Sequence, residues 1–132
     1  MLSLIYRAAD AMRRRSYEAN HGRIGEDLAH RYLRDKGCTV VARNYRPAVG
    51  HCEIDLVAWH GETLAFIEVK TRDTAEFGEP ERAVDGEKQR HLVRAARDYT
   101  RRAGVEWRQV RFDVIAVTLS PRHIEWRRDA FH

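Results

Sequence analysis

The chain has 132 residues, 24 of them basic and 20 acidic, with a formal net charge of +4 and a pI near 9.4. That is the length of one domain with a real core, and no apolar run approaches the ~18 residues a membrane-spanning helix needs. The charge permits nucleic-acid binding without requiring it. Two cysteines, Cys38 and Cys52, match no metal-ligand spacing and point to a reduced, cytoplasmic protein with two semi-buried thiols.

Residues 1–20 carry Arg7 and Arg13-Arg14-Arg15 but no apolar h-region of about 7–15 residues. They predict an amphipathic basic helix, or extension, with Leu2, Ile5, Ala9 and Met12 on one side, ahead of a single domain over 21–132. His21-Gly-Arg-Ile-Gly25 punctuates the chain, and a helix is expected from about Arg23 to Lys36. Ile24, Leu28, Ala29, Tyr32 and Leu33 form its apolar arc, and Gly37 ends it. Glu26 falls beside Leu33 at the edge of that arc. There it either points along the core toward a sheet or sits as a solvated first-turn acid favoured by the helix dipole.

Cys38 to Tyr45 reads as a strand, followed by a turn through Arg46-Pro47-Ala48-Val49-Gly50. The stretch Glu53 to Lys70 then reads as two apolar strands around a two-residue turn at Gly61-Glu62, which suits the type II′ preference for Gly at its first central position. This register pairs His60 with Thr63, Trp59 with Leu64, Val57 with Phe66, Asp55 with Glu68 and Glu53 with Lys70. Opposed residues share a face, so Glu53, Asp55, Glu68 and Lys70 gather at the end of the hairpin away from its turn. A slip of one residue would separate Asp55 from Glu68.

Thr71 to Asp85 is polar, with Gly78 and Pro80, and has no clear period. A second helix is expected from Gly86 to Ala103, with Leu92, Ala95, Ala96, Tyr99 and Ala103 as its apolar stripe. Arg90, Arg94, Arg97 and Arg101 share its outward side, either as a ridge that tracks a phosphate backbone or as an ordinary solvated face. Lys88 and Gln89 flank the stripe, from where either can lean over the sheet. Val110 to Thr118 is apolar on both faces, as a buried central strand parallel to Phe66–Lys70 would be. Asp113 inside it needs a partner. Ser120-Pro121 turns the chain into a short edge strand, His123 to Trp126, and a basic tail. Helix, three strands, helix and two strands make an α/β fold around a mixed sheet.

Two facing acids repel unless a cation lies between them or one is protonated. Asp55, a 12-residue gap containing a turn, and then Glu68-Val69-Lys70 at a strand end suit a hard divalent cation. Mg²⁺ takes one or two carboxylates, keeps several waters and accepts phosphate oxygens. The Val69 carbonyl is a further candidate ligand. Lys70 is placed to stabilise phosphorane charge or to orient the attacking water. Ordinary cross-strand ion pairs on a solvent-facing sheet end are the plainer alternative.

With these residues in hand, the sequence resembles the restriction-endonuclease-like PD-(D/E)XK superfamily, whose site pattern is Asp…(Asp/Glu)-x-Lys on an αβββαβ core with a mixed sheet flanked by helices. More closely it resembles the bacterial YraN-like family, related to archaeal Holliday-junction resolvases. The resemblance spans Gly22 to about Val117. It rests on Gly22 to Ala29 with Tyr32-Leu33 and Gly37, on Asn44-Tyr-Arg46, on Glu53 to Val57 and on Phe66 to Arg72. Lys88-Gln-Arg90 with Ala95-Ala96 and Tyr99, and Arg111 to Ile115, complete it.

The resemblance implies Asp55 and Glu68 as metal ligands, Lys70 as catalytic lysine, Glu26 as a helix carboxylate reaching the site, and Gln89 as a lining residue. Cys52 stands where the family has glycine. Alternation puts it on the face opposite Asp55, so a packing change is expected there. The function implied is Mg²⁺- or Mn²⁺-dependent hydrolysis of phosphodiester bonds in DNA, branched DNA included. The symmetric cutting of resolvase-like enzymes suggests a homodimer, and no membrane partner is expected. The rivals are a nucleic-acid-binding module with a vestigial site, held by the arginine ridge, and a protein-docking subunit that uses residues 1–20 and the 71–85 loop.

Overall fold

The computed structural model describes residues 2–48, 50, 52–74 and 84–132. Most of the polar 71–85 stretch, including Gly78 and Pro80, and Val49 of the preceding turn lie outside the described residues, as does the side chain of Leu2. The elements are α1 (Leu2–Asp35), β1 (Thr39–Tyr45), β2 (Ile54–His60), β3 (Thr63–Arg72), α2 (Gly86–Ala103), a 3₁₀ turn (Trp107–Gln109), β4 (Val110–Leu119) and β5 (Arg122–Phe131). They form a mixed α/β structure around one five-stranded sheet in the order β1-β2-β3-β4-β5, in which only β3 and β4 run parallel.

Strand alternation divides the core between the two sheet faces. Val57, Leu64, Phe66, Phe112 and Val114 pack with Leu92, Ala95 and Ala96 of α2. Leu56, Ala58, Ala65, Ile67, Ile115 and Val117 pack with Ala29 and Leu33 of α1. By the same two-residue period, Asp55, Glu68 and Lys70 belong to the α2 face and Val69 to the α1 face.

The expected hairpin register is present from His60–Thr63 through Trp59–Leu64 and Val57–Phe66 to Leu56–Ile67. Of the two turn residues only Gly61 has positive φ (62°), as a type II′ turn requires. The second helix has the predicted limits. Asp85 caps it by accepting from the Lys88 amide at 2.8 Å, and Gly104, at φ 69°, ends it in the left-handed conformation.

Several expectations differ from the structure. There is no break at His21–Gly25: α1 is one helix of 34 residues, about 51 Å long at 1.5 Å per residue. Gly25 is there because the helix crosses β3 closely; a Cβ on it would lie 1.8 Å from Thr71 Oγ1. Tyr17 donates to Asp73 at 2.6 Å, and His21 bonds the same carboxylate, which ties the middle of α1 to the end of β3. Ile24, expected in the apolar arc, is 44% exposed, and Ala103 of α2 is also exposed. On the N-terminal half of α1, Ile5 and Met12 face solvent. The last strand is not the short His123–Trp126 segment but ten residues, and what reads as a basic tail is its second half. Phe131 anchors that end by stacking on Phe112 at 5.0 Å.

Candidate functional site

β2 and β3 part company at Asp55 and Glu68. Their pairing runs from the turn to Leu56–Ile67, while β2 continues with β1 as far as Ile54 and β3 with β4 as far as Arg72. The two acids come one step beyond the last pair, at the mouth of the fork, close enough for their charges to interact. Asp55 Oδ2 accepts from the Val69 amide at 2.8 Å, so the side chain takes over where the ladder stops.

Electrostatically the pair is strained. Burial, and then the neighbouring Glu68 charge, push the Asp55 carboxyl up to about 8; the Val69 amide pulls the other way, and Glu26 adds to the rise. Glu68 is buried, and its Oε2 has no hydrogen-bond partner among the described residues. Its other oxygen, Oε1, meets Lys88 Nζ of α2 at 2.8 Å. Burial alone would lower the Lys88 pKa, but the bond and charge of Glu68 outweigh it and raise the value.

Lys70 follows Glu68 by two residues on the same face of β3 and is half-buried, in register with Ala116 of β4. Glu26 approaches from α1. Arg43 lies 3.7 Å from it, and Asn44, with its amide nitrogen turned to the carboxylate, donates to both oxygens at 3.2 Å. Asn44 holds a left-handed backbone (φ 51°), a conformation asparagine tolerates better than most residues. Thus Asp55, Glu68 and Glu26 come together at the strand ends, while Lys70 stands two residues further along the same face of β3.

Gln89 does not join them. Its amide donates to the Val84 carbonyl at 2.6 Å, and its side chain lines a separate groove on the other flank of α2. That groove, of about 550 Å³, also takes in Arg90, Val93, Arg94, Arg97 and His132. All four ridge arginines are exposed. Arg97 lies over the Trp107 ring at 4.0 Å, and Arg101 pairs with Asp98 at 3.3 Å. The helix residue that does reach the carboxylates is Lys88. The two positions are adjacent, and the rotation of α2 about its axis decides between them.

Two further expectations are corrected. The β2–β3 ladder ends before Glu53 and Lys70, and Glu53 meets Arg46 at 3.1 Å. Cys52 does not face away from Asp55, but lines the same cleft with Glu53, Asp55, Lys88 and His91. Both residues precede Ile54, where β2 begins, so strand alternation does not reach them. Asp113, by contrast, has the partners its position calls for. It accepts two bonds from Arg111 at 2.8 Å, one from Trp126 Nε1 at 3.0 Å and one from the Asp129 amide at 2.9 Å.

The donor set suits a hard cation. A buried carboxylate oxygen without a partner, a second carboxylate that cannot easily ionise beside it, and main-chain oxygen at Val69 are what Mg²⁺ or Mn²⁺ takes. Among the described residues no group of three or more His, Cys, Asp or Glu is arranged to hold a metal. A cation here would therefore rely on two carboxylates and retained waters, the usual arrangement for Mg²⁺.

Residues 25–117 match the model of the uncharacterised protein family UPF0102, so the match runs from Gly25 through most of β4 and covers the whole site. The chain belongs to this family. It is 65% identical over 133 aligned residues to a UPF0102 protein of Solibacter usitatus, covering 99% of this chain and 100% of that one. A UPF0102 protein of Desulfosudis oleivorans is 43% identical, over 84% of this chain and 89% of its own. One from Moorella thermoacetica is 47% identical, over 74% and 80%. The match leaves out residues 1–24 and β5, so the family model is centred on the elements that carry Glu26, Asp55, Glu68, Lys70 and Lys88. No helix among the described residues is long and apolar enough to cross a membrane.

Proposed function

We propose that the protein is a metal-dependent endonuclease that hydrolyses phosphodiester bonds in DNA, branched DNA included, on a restriction-endonuclease-like PD-(D/E)XK core. The single observation that carries this reading is the close Asp55–Glu68 pair at the fork, with Glu68 Oε2 buried and unpartnered among the described residues. The element order αβββαβ followed by one more strand supports it. The nuclease-like domain is residues 21–132, with residues 1–20 as its N-terminal extension; residues 2–20 continue its first helix.

Asp55, Glu68 and the Val69 carbonyl would hold Mg²⁺ or Mn²⁺. When bound, the cation supplies Lewis-acid stabilisation of the charge that gathers on the phosphate. Lys70, ~7 Å along the strand from Glu68, presents its ammonium to a non-bridging oxygen or orients the attacking water. Glu26, steadied by Arg43 and Asn44, offers a third carboxylate at the edge of the site. Gln89, Arg90, Arg94 and Arg97 along the neighbouring groove, with Arg101 beyond it, hold the nucleic-acid backbone on either side of the cut. Cutting two strands of a branched substrate calls for two sites, hence a homodimer.

That groove also favours a second reading, a nucleic-acid-binding module without chemistry. One assay separates them. Labelled linear, single-stranded and four-way-junction DNA are incubated with the protein in Mg²⁺, Mn²⁺ or EDTA, beside Asp55→Ala and Lys70→Ala. The nuclease reading expects cation-dependent cutting that falls by about 100-fold or more in each variant. Cutting that persists in both overturns it. No cutting, with salt-sensitive binding lost in Arg94→Glu/Arg97→Glu, establishes the binding module.

A further inference from the structure

Lys88 stands in the first turn of α2, and its two ends are held differently. Its amide is fixed by the Asp85 cap at 2.8 Å, while its side chain crosses to the sheet and meets Glu68 Oε1 at 2.8 Å. The lysine side chain is 45% exposed and the glutamate 10%. The acid is thus buried, and the base reaches it from the cleft that Lys88 lines, where it can leave without moving the helix. Around it the cleft is lined by Cys52, Glu53, Asp55 and His91.

An ammonium at that place compensates Glu68 from one side only. Oε2 stays without a partner, and Asp55 lies across the fork with no cation of its own among the described contacts. A divalent ion drawn to the two carboxylates would meet the Lys88 charge within hydrogen-bond reach of the same glutamate, and two like charges there oppose each other. Lysine is suited to yield, being a compact charge on a flexible four-carbon stem.

We propose that Lys88 is the resident counter-ion of the Asp55–Glu68 pair, that an entering divalent cation displaces it, and that this exchange sets the cation affinity and turns the ammonium outward toward an anionic phosphodiester. The proposal rests on the cation-site reading of Asp55 and Glu68 and extends it to a positioning residue on α2. Lys88 holds the site in a paired state without a cation and offers its charge to substrate once one is bound. Binding of cation and of phosphate are then coupled.

The test is Mn²⁺ binding to the full chain, read from the spin-resonance signal of the free ion at pH 7.5, for wild type, Lys88→Gln, Lys88→Met, Lys88→Arg and Asp55→Asn. Melting curves in EDTA verify that each variant is folded. The neutral variants remove the competing charge and are expected to bind Mn²⁺ about 5- to 10-fold more tightly than wild type. Lys88→Arg keeps the charge and is expected to bind no more tightly than wild type. Unchanged or weaker binding in both neutral variants, with binding still lost in Asp55→Asn, overturns the role of Lys88 and leaves the cation site standing. Equal tightening in Lys88→Arg also overturns it, because charge is then not the cause. Binding that survives Asp55→Asn, or no binding in any variant, removes the cation site and the proposal together.

Discussion

Two groups of buried acid sit almost back to back on this sheet. Asp113 of β4 is in register with Ile67 of β3, and Glu68 with Val114, so the two acids occupy neighbouring rows and, by alternation, opposite faces. Asp113 is fully buried, yet every bond it needs comes from nearby chain: Arg111 two residues before it, Trp126 and the Asp129 amide on β5. Asp55 and Glu68 have Lys88 on one oxygen, one backbone amide on another, and a third oxygen with no partner among the described residues. A buried carboxylate is structural when the fold brings its donors with it. Where the fold instead brings a second carboxylate, the place of the missing partner is open to a cation, as the proposed function requires.

The largest expected effect lies on the structural side of this contrast. Asp113→Ala leaves the Arg111 guanidinium, itself 17% exposed, without its carboxylate, and strands two further donors. Breaking such a pair from one side costs about 3–5 kcal/mol, read as the drop in unfolding free energy by urea titration. A cost under about 1 kcal/mol would remove the distinction between the two acids.

The opposite sign is expected at Asp55. Its folded pKa of about 8 stands above the ordinary value of 3.8. Below pH 4 both folded and unfolded chains carry the proton. Between pH 4 and 8 the unfolded chain has released it and the folded chain has not, so wild-type stability falls as pH rises, and above 8 the penalty is complete. Asp55→Asn cannot ionise, and its carbonyl can still accept from Val69. Without divalent cations the variant should therefore outlast wild type by on the order of 2 kcal/mol at pH 8.5, with the gap closing toward pH 4. Melting curves across that range measure it. A variant less stable than wild type at pH 8.5 would mean that Asp55 is a structural acid like Asp113.

Much of this arrangement was legible in the sequence because it rests on local rules. Gly61-Glu62 and alternation fix the hairpin register as far as Leu56–Ile67, one step short of Asp55 and Glu68, whose charges interact just beyond it. The apolar stripe through Leu92, Ala95 and Ala96 marks the second helix from Gly86 to Ala103, the limits that Asp85 and Gly104 cap in the structure. The apolar run from Val110 reads as a buried strand, and Asp113 within it as an acid in need of partners.

What was not legible depends on packing between distant segments. Gly22 and Gly25 look like a break, but glycine in a helix costs only about 1 kcal/mol, and Gly25 is set by the Thr71 side chain that it must clear. The second half of β5 is held by Phe131 on Phe112, a contact between strand ends that no local pattern announces. Cys52 and Glu53 lie just before β2, where the two-residue period has no hold. The choice of Lys88 over Gln89 follows from how α2 is rotated onto the sheet. The signal for Lys88 was present only as a base flanking the apolar stripe near two acids.

The most direct measurement is the titration of the Asp55 side-chain carboxyl carbon by NMR, with and without saturating Mg²⁺. Without the ion the midpoint should lie near 8, held there by burial and by Glu68. With Mg²⁺ it should move well down, because a bound divalent charge favours the carboxylate. A midpoint near 4 that Mg²⁺ leaves unchanged would contradict the account, for Asp55 and Glu68 would then be neither crowded together nor built around a cation.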